Sequence, residues 1–410
     1  MKNALTSSAP GSVPDFAGLG LHDNLVRAVR ELGFEQPTPI QIDAIPSAVA
    51  GRDVLACAST GSGKTAAFAL PILERLRAAK PGTTRVLVLV PTRELAAQVV
   101  TQFTALAKHT RKRAAPVYGG VGMRPQEESF RRGVDVIVAT PGRLLDHMQY
   151  SYALLGGVEV LVLDEADRML DMGFLPAIRR VLQHLPARAR QTLFFSATMP
   201  APIVALAREL LVNPVRVNLE RKAMPAPNIT HALYPVASDG KVDLLIELLR
   251  RGTVGTAIVF CRTKHRANRV AKKLVSAGIS CERIHGNRSQ AQRTSALDGF
   301  KRGRYRVLVA TDIVARGIDV TALEHVINFD VPKDAEDYIH RVGRTARMDA
   351  KGDAYTLVAP EEESTMREIE RAVGGRIERR NLQGFDTAAR SGLVLSPRFA
   401  GSGSGPRRSR

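Results

Sequence analysis

The sequence has no tryptophan, and aromatic residues make up only 5% of its 410 positions. Side chains flat enough to stack on a ligand's rings are scarce, which disfavours recognition by aromatic platforms. Cysteine is scarce too: Cys57, Cys261 and Cys281 form no CxxC pair and show no histidine-rich spacing. Neither a disulfide framework nor a zinc site is implied, and a reducing compartment fits. Cys57 and Cys261 sit inside apolar runs, where a free thiol serves as a small core residue. No uninterrupted apolar stretch approaches membrane-spanning length, and the opening MKNALTSSAPGSVPDF holds no apolar export segment. A soluble, cytoplasmic protein with no membrane contact is expected. The last shortage is of acid: 40 Asp and Glu face 59 Lys and Arg, leaving a net charge of +19. With a pI near 10.4, the chain calls for a polyanionic partner, nucleic acid first.

What is present is a repeated grammar. Short continuous apolar runs (VLVLV at 86–90, VIVA at 136–139, VLVL at 160–163, TLFF at 192–195, VRVNL at 215–219) alternate with amphipathic helical stretches. Continuous apolar runs mean strands buried on both faces, hence a parallel sheet with crossover helices. Each run ends in polar residues: PTRE, TPGR, DEAD and SAT follow the first four. Open α/β sheets place their ligands at these carboxyl ends. A charged, two-proline break, ERKAMPAPNIT, then interrupts the pattern before it resumes with TAIVF, VLVA and VINF. Two α/β domains of similar layout are expected: a disordered N-terminus over 1–15, a first domain over 16–220, a linker over 221–229, a second domain over 230–380 and a flexible basic tail over 381–410. A charged helix over about 361–373 should close the second domain.

Residues 58–65 read ASTGSGKT. Glycines let the backbone curl so that N–H groups face phosphate oxygens, Lys64 reaches the outer phosphates, and the Thr65 hydroxyl can ligate Mg²⁺. A strand-like DVLAC precedes the loop and a helix-like TAAFALPILERL follows it, as a phosphate loop requires. Alanine at 58 departs from the strict GxxxxGK[ST] pattern. Asp164, at the end of VLVL, stands where a carboxylate holds the Mg²⁺ of a nucleoside triphosphate, and Glu165 is placed to orient or deprotonate the attacking water. Only the first half has such a loop, which suggests a shared site in the cleft between the halves.

ASTGSGKT, PTRELAAQ, TPGR, DEAD, SAT, ATDIVARGID and HRVGRTAR, in their chain order, resemble the DEAD-box family of ATP-dependent RNA helicases, superfamily 2. The likeness runs from about residue 16 to about 360, and the family's loop has alanine at 58. The phrasing is similar to the bacterial RhlE-like branch. The resemblance implies two tandem RecA-like domains, each a mostly parallel sheet with helices on both faces, with ATP and RNA in or across the inter-domain cleft. It also implies Mg²⁺ as a cofactor. Ala58, Ser59, Thr60, Gly61, Ser62, Gly63, Lys64 and Thr65 would hold the phosphates. Gln41, in GFEQPTPIQ, would read the adenine edge, since a carboxamide offers donor and acceptor together; Phe34 would stack on the base and Phe16 support the motif. Lys64, Glu165, Arg344 and Arg347 would be catalytic, with Thr65 and Asp164 on the metal, largely through water. Arg316 and Asp319 would take the ribose side. Asp167, Ser196, Thr198 and His340 would couple hydrolysis to strand separation. If 340–347 is helical, His340, Arg344 and Arg347 share one stripe while Arg341 is turned about 100° away. Two cations on one face suit arginine fingers, worth roughly 10³–10⁵ in rate.

RNA would be gripped by its backbone, independently of sequence, through Pro91, Thr92, Arg93, Gly120, Thr140, Pro141, Gly142 and Arg143 in the first domain. Arg262, Thr263, Gly286, Gln290, Arg293 and Thr311 would do so in the second. No RNP1-type string occurs in the chain. Tail arginines Arg390, Arg398, Arg407, Arg408 and Arg410 would add non-specific RNA affinity. Ribosomal or decay-machinery proteins are candidate partners, and the chain is expected to act as a monomer. Two rival readings stand beside the helicase: a DNA-directed superfamily 2 enzyme, and an ATP-gated RNA clamp or assembly factor that unwinds little.

Overall fold

The computed structural model describes residues 15–58, 61–186, 190–218, 228–312, 323–345 and 351–385. These form two compact units, one holding 15–218 with 284–298 and 311–312, the other holding 228–283, 299–310, 323–345 and 351–385. The first sheet comprises β1 (Val54–Cys57), β2 (Val86–Leu89), β3 (Ala114–Val117), β4 (Val136–Ala139), β5 (Val160–Leu163), β6 (Gln191–Ser196) and β7 (Val215–Asn218). Its order is β3-β4-β2-β5-β6-β1-β7, with every pairing parallel. β2, β4, β5 and β6 are buried along their whole length. Parallel strands covered by helices on both faces leave no polar side to alternate with, which is why these runs read as continuously apolar.

The second sheet comprises β8 (Ile229–Pro235), β9 (Ala257–Cys261), β10 (Cys281–Ile284), β11 (Val307–Thr311), β12 (His325–Asn328), β13 (Gly352–Val358) and β14 (Glu378–Arg379), in the order β10-β11-β9-β12-β13-β8-β14. Its core also buries charge. Lys241, 1% exposed, is ion-paired with Glu362 and donates to the Phe329 carbonyl at 2.9 Å. Burial pushes the Lys241 ammonium below its ordinary range, against the opposing pull of Glu362.

Several boundaries differ from those expected. Asp15 is ordered, its carboxylate accepting the Gly18 N–H at 3.0 Å as the N-cap of the turn Phe16–Leu19. Ile229, expected in the linker, opens β8. Leu382 and Phe385, expected in the tail, pack on the second core. The closing helix divides into a 3-10 turn, Pro360–Glu362, and an α-helix, Glu363–Ala372. β3 was not among the expected strands; it carries Pro116 and lies at the sheet's edge, where proline is tolerated. Among the described residues no helix is long and apolar enough to cross a membrane.

Candidate functional site

Strand order decides what meets at the carboxyl edge of the first sheet. Segments far apart in sequence follow neighbouring strands: TPGR after β4, PTRE after β2, DEAD after β5, SAT after β6 and the glycine loop after β1. Ala58 continues the pairing beyond β1, its N–H donating to the Ser196 carbonyl at 2.9 Å.

At the nucleotide loop, Gly63 caps the helix Lys64–Leu76 with φ +92°, in the left-handed region that favours glycine. A Cβ there would lie 2.5 Å from Gln41 Nε2 and 2.9 Å from Thr38 Oγ1. The Gln41 carboxamide bridges the two motifs: Nε2 donates to the Gly63 carbonyl at 3.1 Å, and Oε1 accepts the Thr38 N–H at 3.0 Å. Thr38 starts the helix Pro39–Val49, and Phe16 is buried and Phe34 half-buried in the same core. Lys64 is also buried, its Nζ donating to the Ala58 carbonyl at 3.0 Å.

Beside the loop, Asp164 is 2% exposed and its Oδ1 has no hydrogen-bond partner. Burial pushes its carboxyl pKa up; Lys64 opposes that rise and Glu165 adds to it. A buried carboxylate oxygen with no hydrogen-bond partner suits a divalent cation, and with the Thr65 hydroxyl it would supply the oxygen donors that Mg²⁺ takes. Glu165 holds a left-handed backbone, φ 54° and ψ 53°, at the start of helix Ala166–Asp171. A non-glycine residue held there stores of order 1–3 kcal/mol of strain. The Glu165 carboxylate forms a buried ion pair with Arg168, one turn on. Asp167 ties this helix to β6: its Oδ2 accepts the N–H groups of Ala197 (2.9 Å) and Thr198 (2.7 Å) and the Thr198 hydroxyl (3.1 Å). The Asp167 N–H in turn donates to Ser196 Oγ at 3.2 Å. All three residues expected to couple hydrolysis in this unit are therefore in direct contact.

Along the same edge the expected phosphate-gripping groups converge. Arg93 packs against Gly119 and Gly120, so closely that a Cβ on Gly120 would lie 1.9 Å from Arg93 Nη1. Arg143, two residues into helix Pro141–Met148, donates to the Val121 carbonyl at 3.0 Å. Thr92 and Thr140 precede their helices as N-caps, Thr92 Oγ1 accepting the Leu95 N–H. Pro141 is buried and Gly142 exposed at the start of that helix. Sequence reasoning missed two residues here. Gln126 Nε2 donates to the Tyr118 and Gly122 carbonyls (3.1 and 3.2 Å), and its Oε1 accepts the Tyr118 N–H at 3.1 Å, closing the glycine turn. His147, fully buried, lies 3.3 Å from that Oε1 and 2.9 Å from the Tyr152 hydroxyl. Nothing in the local sequence marks either residue, because both act through contacts made in space.

On the second sheet, Arg262 and Thr263 leave β9 and lead into helix Lys264–Ser276, with Thr263 Oγ1 accepting the Arg266 N–H at 3.2 Å. Gly286 and Gln290 lie before and at the start of helix Gln290–Lys301, which also carries Arg293, and Thr311 ends β11. The expected helical stripe through 340–347 is corrected. The helix Ala335–Val342 stops before Gly343, so His340 is helical while Arg344 lies in the turn beyond. Glycine carries about 1 kcal/mol of helix penalty and favours this ending. Arg344 is buried, and its Nε donates to the His340 carbonyl at 3.2 Å. Ser59, Thr60, Arg316, Asp319, Arg347 and the tail arginines lie outside the described residues.

A parallel sheet with a glycine-rich loop, an orphaned acidic oxygen and a row of polar, arginine-bearing loops on one edge defines an α/β protein of the RecA-like type. Two family models match: DEAD/DEAH box helicase over residues 38–206 and helicase conserved C-terminal domain over 240–349. The chain is 42% identical over 373 residues to the DEAD-box ATP-dependent RNA helicase CshA of Bacillus cereus, covering 91% of this chain and 71% of that one. It is 43% identical to the CshA of Geobacillus kaustophilus, covering 91% and 79%. Among solved structures, S. cerevisiae Dbp5 bound to RNA and ADP BeF3 superposes with a TM-score of 0.82 at 31% identity, over 90% of this chain and 95% of that one. The chain belongs to the DEAD-box helicase family.

Proposed function

We propose that the protein is an RNA-stimulated ATPase that locally separates short RNA duplexes or remodels RNA–protein complexes. One observation carries this reading: a single sheet edge bears, in strand order, the loops of Gly120, Arg143 and Arg93, then DEAD, SAT and the glycine loop. Lys64 and the loop amides would neutralise the triphosphate, while Gln41, already hydrogen-bonded to the loop, selects adenine. Asp164 and Thr65 would hold Mg²⁺, which supplies charge neutralisation on the transferring phosphoryl group. Glu165, held in place by its backbone and Arg168, orients the attacking water and takes its proton. Arg344 and Arg347 supply positive charge as the phosphoryl group departs, and Arg316 and Asp319 hold the ribose side. The contacts of Asp167 with Ser196 and Thr198 make the DEAD helix and the end of β6 move together.

RNA contacts run through backbone phosphates and are sequence-independent. A DNA-directed enzyme is separated by comparing stimulation by matched RNA and DNA, since only RNA presents the 2′-OH. A monomeric cytoplasmic enzyme of the RhlE-like branch, with ribosomal or decay-machinery partners, completes the proposal; the branch rests on motif phrasing alone. The decisive experiment measures ATP hydrolysis with and without RNA alongside duplex release. Lys64→Ala and Glu165→Gln should abolish both; turnover at the parent's rate in either variant refutes the site.

A further inference from the structure

Asp330 follows β12 and is fully buried, yet it carries a carboxylate. Both of its oxygens are used: Oδ2 accepts the Arg262 N–H at 2.8 Å, and Oδ1 is ion-paired with Arg266. Its backbone carbonyl accepts Arg341 Nη1 at 2.8 Å, and the same Nη1 reaches Asn328 Oδ1 at 3.1 Å. The Arg341 guanidinium lies 5.3 Å from the centre of the Phe260 ring on β9, and the residue is 3% exposed. Beyond it lie further polar contacts: Asn328 Nδ2 donates to Thr356 Oγ1 at 3.0 Å, and on the helix that carries Arg341 the Tyr338 hydroxyl lies 2.8 Å from His231 Nδ1.

A buried guanidinium is a poor way to stabilise a core. An apolar side chain of similar volume in such a place is often neutral or better. What the charge adds here is connectivity. Tyr338 and Arg341 fix helix Ala335–Val342 at two points one turn apart, and the Arg344 N–H donates to the Arg341 carbonyl at 3.1 Å. The Arg262–Thr263 loop therefore reaches the Arg344 turn through only two residues, Asp330 and Arg341. A displacement of the Arg262 N–H strains the Asp330 carboxylate and, through its carbonyl, the arginine strut.

We infer that Arg341 and Asp330 are positioning residues that carry the state of the Arg262–Thr263 loop to Arg344, so that RNA at the loop sets the arginine used in hydrolysis. This rests on the RNA helicase reading. Physical connection alone does not establish energetic coupling, so the test reads the response to RNA. The full chain, Arg341→Met, Arg341→Lys and Asp330→Asn are compared for basal ATP hydrolysis, ATP KM, RNA-stimulated kcat and thermal melting. Arg341→Met keeps bulk on the Phe260 ring and removes the donors. It should leave the basal rate and ATP KM within twofold while lowering stimulated kcat at least tenfold. Arg341→Lys should recover part of that loss. Asp330→Asn leaves the carbonyl strut and alters the acceptor of the Arg262 N–H; it should also lose stimulation, and it carries the test if Arg341→Met fails to fold. Stimulated kcat within twofold of the parent, with a lowered melting temperature, would make the pair structural only and overturn the inference. Equal losses in basal and stimulated rates would place the effect at the ATP site and also overturn it. A parent chain that RNA does not stimulate would sink the helicase reading itself; a stimulated parent with indifferent variants sinks this inference alone.

Discussion

Replacing Gly63 by alanine tests the joint between the nucleotide loop and Gln41. Gly63 sits at φ +92°, where an alanine costs about 1–2 kcal/mol. The new Cβ would stand 2.5 Å from Gln41 Nε2, so the carboxamide must leave, and its 3.1 Å bond to the Gly63 carbonyl goes with it. That bond is worth about 1 kcal/mol net. The two effects together come to about 2–3 kcal/mol, or roughly a 30- to 150-fold weakening of ATP if all of it falls on the bound state. It falls there because the loop can relax while empty but must be restored around the phosphates. The assay is displacement of a fluorescent nucleotide by ATP, with thermal melting alongside. Gly252→Ala is the control: Gly252 lies at φ +74° with open space around its Cβ position, so it should lower stability and spare ATP affinity. In the double variant Gly63→Ala/Gln41→Ala the clash is gone, so the combined loss should be smaller than the sum of the single losses by about 1 kcal/mol. ATP affinity within twofold of the parent for Gly63→Ala, or additive losses in the double variant, would refute the reasoning.

Gly120→Ala should drive the Arg93 guanidinium from its seat and weaken RNA binding about tenfold or more, leaving ATP affinity without RNA unchanged; equilibrium RNA binding with a salt titration reads this. Glu362→Gln or Lys241→Met alone leaves an uncompensated buried group and should destabilise the second unit by about 3–5 kcal/mol, whereas the double variant should return close to the parent in chemical denaturation. His147 is held below its usual pKa, chiefly by burial and then by Arg143, with Asp146 and Glu127 opposing. Its imidazole is therefore protonated more readily in the unfolded chain. Its stabilising contribution is full above about pH 6.5 and declines as pH falls through the folded value. Denaturation midpoints between pH 7.5 and 5.5 should show that decline, flattened in His147→Gln; an unchanged slope would show that His147 does not contribute to it.

Much of this protein was written locally. The buried strands, ASTGSGKT and DEAD could be read from the chain because each depends on a few adjacent residues: apolar runs for strands covered on both faces, glycines for a curled loop, a carboxylate after a buried strand. Composition alone pointed to a polyanionic partner, since excess charge needs no fold to be counted. The tertiary structure decided what these pieces meet. The order β4-β2-β5-β6-β1 sets SAT next to the glycine loop and PTRE next to DEAD, although about 140 residues separate SAT from that loop. Parallel pairing joins strands through crossovers of any length, so no local pattern encodes which strand lies beside which. The same is true of side chains that act at a distance. Gln126 looks like an ordinary helix residue until it closes the Tyr118–Gly122 turn, and Arg341 looks like one more surface cation until packing buries it against Phe260 and Asp330. The helix through 340–347 failed as a local expectation because Gly343 ended it, leaving Arg344 to be positioned by its neighbours in the turn. Short-range chemistry is set by residue type and spacing; the partners of a buried polar group are set only when the chain has folded around it.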